Sequence, residues 1–186
     1  FGAAALIPVG ERLHIQTTEA GHVEMGPASA DEEALWPHLQ RVHDRVTVET
    51  LLSGPGLLRL YHGLCAQRGH SPVCAVPNDV LEGCLALTEE AARDAVLLFT
   101  RLLGRFAGDL ALIFGASGGV FLGSGIVPRL GAMLEEGPFR AAFDRKAPFD
   151  SFARSIPTAV LVYPEPSLVG LALLAREPER FLVPSG

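Results

Sequence analysis

Residues 118–129 read GGVFLGSGIVPR. Val120 to Leu122 is a short apolar run behind two glycines and reads as a buried strand. Gly123-Ser124-Gly125 then turns the chain. From Ile126 the pattern is helical, with Pro128 in the first turn, where a missing N–H has no intrahelical partner to lose. The unit repeats downstream. Residues 158–163 read as a second strand, Pro164-Glu165-Pro166 as a turn, and 167–176 as a helix. Two strand–turn–helix units in succession predict an α/β layered fold.

Upstream lies the clearest periodic segment, residues 89–114. Ala92, Val96, Phe99, Leu103, Phe106, Leu110 and Ile113 recur at steps of four and three, which predicts one long amphipathic helix. Thr88 is placed to cap it, and Glu89 and Glu90 suit its positive end. Gly104 and Gly108 lie one turn apart on this helix, so a second backbone can come close. A helix is also predicted from Ser29, with Glu32 completing a capping box, to about residue 44, kinked or shortened by Pro37. Another starts at Thr47, is interrupted by Gly54-Pro55-Gly56, and resumes over 57–67. Residues 139–145 are helical in pattern. At the start of the chain, 3–7 and 12–18 read as strands joined by a turn at Pro8-Val9-Gly10-Glu11.

Composition narrows the function classes. The 186 residues carry a net charge of −6, are 48% hydrophobic and 19% charged, and therefore belong to a globular chain. No basic stripe is present to displace phosphate counterions, so no nucleic-acid partner is expected. Of the fifteen basic residues only Lys146 is a lysine, which reads as compositional bias. Cys65, Cys74 and Cys84 are an odd number without a CxxC pair, which fits a reducing, cytoplasmic setting and neither a disulfide framework nor a cysteine zinc site. The most apolar stretch, 95–127, is broken by Arg101, Arg105 and Asp109, so no membrane span is expected.

Two constellations carry candidate chemistry. The glycine turn after Leu122 presents free backbone N–H groups and a helix start at the end of a strand, a seat for part of a nucleotide. Tight strand-to-helix packing accounts for the same glycines, and neither a GxxxxGK[ST] nor a GxGxxG string is present. The second constellation is TTEAGH, residues 17–22. Glu19 and His22 flank Gly21 at a strand end, and Glu49 on the helix after Thr47 adds another carboxylate. Carboxylates that accept and an imidazole that donates or accepts suit a polyhydroxylated ligand. A turn histidine beside a solvated carboxylate fits the pattern equally. No HExxH and no second ExxH occurs, so no metal site is expected. His14, His38, His43, His62 and His70 share no ligand spacing and read as surface residues.

Six strings taken together resemble bacterial glucokinases of the zinc-free branch. They are TEAGHVEMGP (18–27), VETLLSGPGLLRLY (48–61), GRFAGDLAL (104–112), GGVFLGSGIVPR (118–129), FRAAFDRKAPF (139–149) and VYPEPSLVGLA (162–172). The resemblance implies the hexokinase/actin-like ATPase fold, an α/β mixed sheet with packed helices, and residues 1–186 as a single partial domain. That domain would be the C-terminal lobe, with its first strand and the N-terminal lobe lying upstream of Phe1. It implies ATP-dependent phosphorylation of the glucose 6-hydroxyl with Mg²⁺, glucose and ATP as partners, and a homodimer as a common assembly. Carried over residue by residue, Glu19, His22 and Glu49 would contact the sugar. Gly123 and Gly125, with Gly118 and Gly119, would contact the nucleotide.

The strings that would carry the catalytic aspartate (N-D-F) and the phosphate loops (D-x-G-G-T and G-T-G) are not among these residues. No catalytic residue is therefore assigned here, and these 186 residues alone are expected to be inactive. A kinase for another hexose, a sugar-sensing regulator without catalysis, and an oligomerisation module are the alternatives.

Overall fold

A computed structural model of the chain describes residues 1–123, 125–135, 137–163 and 165–182. It opens on a hairpin. β1 (Ala3–Val9) and β2 (Arg12–Thr18) pair antiparallel, with Ala3 opposite Thr18 and Val9 opposite Arg12. The tight turn passes through Gly10 at φ 60°, so the first strand runs two residues past the predicted end. Pro8 is accommodated because β1 is the edge of its sheet, where a strand needs no inward N–H.

Ser29 caps α1 (Ala30–Leu35) as read from sequence, its hydroxyl accepting from the Glu32 N–H. The helix stops at Leu35 and not near residue 44. Pro37 has no N–H to continue the ladder, and the chain tightens into a 3₁₀ turn at Trp36–His38. Next comes α2 (Val48–Leu51), started by a reciprocal pair: the Thr47 hydroxyl accepts from Thr50 N–H at 3.2 Å and the Thr50 hydroxyl from Thr47 N–H at 3.1 Å. Gly54-Pro55-Gly56 does not interrupt the next helix but forms its first turn. In α3 (Gly54–Arg68) Ser53 is the cap, Pro55 sits where no N–H is needed, and Gly69 ends the helix in the left-handed region.

α4 (Pro77–Leu85) was not foreseen. It is nine residues long with a glycine inside, and its buried stripe is only Val80, Leu81 and Cys84. α5 (Glu90–Phe114) is the predicted long helix. Its cap position is Glu89, and Thr88 bonds back to the Gly83 carbonyl instead. The apolar stripe is buried from Ala92 to Phe106, but Ile113 is 71% exposed.

β3 (Val120–Leu122) is half-buried on one face only, with Phe121 turned out. α6 (Val127–Leu130), α7 (Ala132–Glu135), α8 (Pro138–Asp144) and α9 (Asp150–Ser155) follow. The predicted second strand forms at β4 (Thr158–Val160), parallel to β3 with Val120 opposite Thr158. Leu161 N–H still donates to Leu122 carbonyl at 2.8 Å beyond its end. The predicted turns at Gly123-Ser124-Gly125 and Pro164-Glu165-Pro166 each include a residue outside the described set. α10 (Pro166–Arg176) and the short β5 (Phe181–Leu182), parallel to β2, close the chain. The strands thus make a three-stranded mixed sheet, ordered β1-β2-β5, and a parallel β3-β4 pair.

The core sits between α3, α4, α5 and α8. Tyr61, Phe143, Leu57, Leu60, Leu102 and Val96 are fully enclosed there, each aliphatic contributing about 1.5–3 kcal/mol relative to exposure. α8 lies directly on the glycine notch of α5. A Cβ at Gly104 would meet the backbone of Phe139, and one at Gly108 would lie 2.6 Å from the Phe143 carbonyl oxygen. Lys146 follows α8 and threads past Gly108, its ammonium donating to the Arg105 carbonyl at 2.8 Å and pairing with Asp109 at 2.7 Å. A slender stem with a compact charge fits beside Gly108, where a Cβ would already stand 2.5 Å from Lys146 Cε.

Candidate functional site

Strand β2 ends where the Thr18 hydroxyl turns back to donate to Ala3 carbonyl at 2.7 Å. A single 3₁₀ turn follows at Ala20–His22, with His22 N–H bonded to Glu19 carbonyl at 2.9 Å. This turn brings the two ionisable ends together: Glu19 Oε2 lies 3.9 Å from His22 Nε2, and the side chains are 91% and 68% exposed. Both are therefore free to meet a ligand. Gly21 between them is buried, and a Cβ there would stand 2.5 Å from the Phe1 carbonyl oxygen. Glycine is thus required at 21 by close backbone approach, at a φ that any residue could adopt.

Glu49 projects, half-buried, from the first turn of α2. Phe1 lies against Gly21, and its ring packs edge-on to Phe106 of α5 at 5.5 Å between centroids. The turn and the helix are joined directly. Met25 N–H donates to Val46 carbonyl and Val48 N–H to Val23 carbonyl, both at 3.0 Å, around the antiparallel bridge of Glu24 with Thr47. The structure thus brings the Glu19–His22 turn and the Glu49 helix side by side, although 27 residues separate His22 from Glu49 in the sequence.

A concavity opens beyond the carboxyl ends of β3 and β4, with a volume of about 560 Å³. Gly123 and Gly125 line it, together with Leu161, Tyr163, Pro166 and Ser167. Neither glycine bears a side chain to fill the floor, and the start of α10 closes one wall. Gly118 and Gly119 lie at the opposite end of β3, about 10 Å or more away at the rise of an extended strand. Gly119 has φ 122° and packs against Pro157, so its role there is a backbone bend.

Another cleft, of about 710 Å³, lies between α5 and the 145–149 segment. Its wall is a closed ion-pair cluster. The buried Glu32 carboxylate accepts from Ala28 N–H at 2.8 Å and pairs with Arg105 at 2.7 Å and Arg101 at 3.1 Å, while Arg105 also donates to Gly26 carbonyl at 2.7 Å. These bonds fasten the end of the Glu19–His22 loop to the long helix. Among the described residues no group of three or more His, Cys, Asp or Glu could hold a metal ion, and no helix is long and apolar enough to cross a membrane.

Sequence reasoning missed Arg45, whose guanidinium reaches the turn, and the contributions of Leu161, Tyr163, Pro166 and Ser167 to the cleft. No local spacing signals either group. Arg45 reaches the turn across a bridge between distant segments, and the cleft forms only when α10 folds back beside β4.

The comparisons with known proteins agree with this architecture. The glucokinase of Brucella suis biovar 1 is 44% identical over 183 residues, covering 98% of this chain and 53% of that protein. That of Rhizobium johnstonii is 39% identical over 187 residues, covering 97% and 55%. The chain thus spans about half the length of the curated relatives it matches. A crystal structure of glucokinase from an Antarctic psychrotroph superposes with a TM-score of 0.87 at 28% identity, over 95% of this chain and 55% of that one. The glucokinase of Balamuthia mandrillaris, solved in complex with glucose, superposes with a TM-score of 0.73 at 20% identity and so bears on the fold alone. The hexokinase/actin-like α/β fold of the glucokinases is the fold seen here. With the glucokinase family profile matching residues 1–178, from the first strand through the helix beside the glycine cleft, the chain belongs to the glucokinase family.

Proposed function

We propose that this chain is the C-terminal lobe of an ATP-dependent glucokinase, in which it supplies the sugar grip and part of the adenosine seat. Glu19, His22 and Glu49 hydrogen-bond glucose hydroxyls, the carboxylates accepting and the imidazole donating or accepting. The cleft at Gly123 and Gly125 receives the nucleotide, its glycines letting the ligand approach the backbone closely. Gly118 and Gly119, at the far end of β3, act through the bend that sets that strand.

Phosphoryl transfer to the 6-hydroxyl is mostly positioning and charge stabilisation around an in-line attack. This chain contributes positioning. The proton acceptor, the phosphate clamps and the groups that hold Mg²⁺ belong to the part of the protein outside these 186 residues. A cytoplasmic enzyme acting as a homodimer fits the family.

The observation that carries this reading is the backbone junction Val23–Val48, which sets the Glu19–His22 turn, with both of its tips exposed, beside the helix that bears the half-buried Glu49. In the full-length protein, Glu19→Gln and Glu49→Gln should each cost about 1–3 kcal/mol in kcat/KM for glucose, the penalty for weakening a bond to a charged acceptor. Unchanged kcat/KM in both variants would remove these carboxylates from the sugar site. The 186-residue chain by itself should form no glucose 6-phosphate, and measurable product would overturn the division of labour.

A further inference from the structure

Residues 42–45 close a tight turn in which Val42 and Arg45 exchange both backbone hydrogen bonds, at 3.0 and 3.1 Å. Its two central residues, His43 and Asp44, have φ of 51° and 60°. Two consecutive left-handed residues are the geometry of a type I′ hairpin turn, and His and Asp are among the residues that adopt it. The residue this turn delivers is Arg45. Its Nε donates to the Glu24 carboxylate at 2.9 Å and its Nη2 to the His22 carbonyl at 3.1 Å. The guanidinium therefore reaches back along the Glu24–Thr47 bridge and grips the turn that carries Glu19 and His22.

Without this grip the turn is held from that side only by the two ladder bonds, and these begin at Val23, one residue too late to fix His22. On the other flank Gly21 rests on Phe1. The peptide between His22 and Val23 is held at its N–H by a long bond to the Ala20 carbonyl, 3.4 Å, and at its carbonyl by the Arg45 guanidinium. Two residues beyond Arg45, Thr47 caps the helix that presents Glu49. One side chain and the short strand behind it thereby set the spacing between the two candidate sugar-binding elements.

We propose that Arg45 is a positioning residue for glucose: it orients the His22 imidazole relative to Glu49 and touches neither reacting atom. This rests on the sugar-site reading above. The planar fork matters, since a carbonyl and a carboxylate must be met at once, and a lysine ammonium on a flexible stem can satisfy one of them well.

The test is steady-state kinetics of the full-length protein with Arg45→Met, Arg45→Lys and Glu24→Gln, beside Glu49→Gln as the reporter of the sugar site. Arg45→Met should raise KM for glucose by about threefold to tenfold, the loss of one or two charge-assisted bonds to a ligand-bearing turn, with kcat within about twofold and KM for ATP unmoved. Arg45→Lys should recover part of the loss. A merely structural role would lower kcat and stability without this split or this rescue. Unchanged KM for glucose in Arg45→Met, or equal rises in KM for glucose and ATP, overturns the proposal. The Glu49→Gln control separates the two failures: if it raises KM for glucose while Arg45→Met does not, the sugar site stands and the positioning role falls. Should Arg45→Met fail to fold, Arg45→Lys and Glu24→Gln carry the test, and unchanged KM for glucose in both overturns it.

Discussion

Replacing Gly104 by alanine sets two well-known effects against each other. In the interior of a helix, Gly→Ala is worth about 1 kcal/mol in the helix's favour. At Gly104, however, the added methyl would lie 2.8 Å from the Phe139 carbonyl carbon and 2.9 Å from its Cα, with the carbonyl oxygen nearer still. Ordinary carbon–carbon contact begins near 3.5 Å, so α8 must retreat by roughly 1 Å. The obstacle is main chain and cannot rotate away. Phe139 and Phe143, stacked at 6.1 Å between centroids and both buried, would move with it. Overpacking of this kind costs about 1–3 kcal/mol or more, and the backbone clash puts Gly104 at the upper end. The net expectation is a loss of about 1–2 kcal/mol. Gly170 in α10 is the control, because a Cβ there meets nothing within 4 Å, and Gly170→Ala should gain about 0.5–1 kcal/mol. Urea unfolding reads the first variant as a lowered midpoint at constant slope. α10 buries no residue, so amide exchange within it reads the second. A Gly104→Ala protein as stable as the parent, or more so, would refute the close approach of α8.

Tyr61 is fully buried and its hydroxyl accepts from Val73 N–H at 2.9 Å and Cys74 N–H at 3.3 Å; Tyr61→Phe should cost about 1–3 kcal/mol, seen in the urea midpoint, because two donors lose their partner. Burial pushes this phenol up from 10.0 to about 12. Between those pH values the unfolded chain has released a proton that the native state keeps, so stability present below pH 10 should fall as pH rises toward 12, and the Phe variant should show a flatter alkaline limb. Glu32→Gln should destabilise by about 2–3 kcal/mol, measured the same way, since Arg101, Arg105 and the Ala28 N–H converge on its carboxylate. Lys146→Arg should lower the thermal midpoint despite keeping the charge, because a larger planar head must replace a compact, buried ammonium that donates to the Arg105 carbonyl and pairs with Asp109; an unchanged midpoint would return the lone lysine to compositional chance.

Periodicity and turn chemistry made much of this architecture legible. The α5 stripe, the Ser29 cap, the helix start at Thr47, the existence of β3 and β4 and the glycine notch all follow from rules acting within about four residues. The errors came where a local signal met a competing one. The helix from Ser29 was carried to about residue 44, but of the two effects expected of Pro37, a kink or a shortening, it is the shortening that holds, and α1 is only six residues long. Gly54-Pro55-Gly56 was read as an interruption, although Ser53 ahead of it is a sound cap for a helix that tolerates proline in its first turn. α4 was overlooked because its apolar face is three residues, two aliphatic and one cysteine.

The sequence by itself determined that the chain is a globular α/β member of its family, and which short strings carry its polar candidates: Glu19 and His22 about a glycine, Glu49 on a capped helix, and the glycines after Leu122. Tertiary structure alone decided which of these meet. Hydrogen bonds between residues 22–25 and 45–48 set Glu49 beside the Glu19–His22 turn, and the return of the chain to α10 builds a cleft around Gly123 and Gly125 while leaving Gly118 and Gly119 at the far end of the strand. The physical reason is range. Propensity, capping and turn formation act over a few neighbours and are written in spacing, whereas the convergence of side chains depends on backbone packing between segments whose order in the chain says nothing of their distance in space.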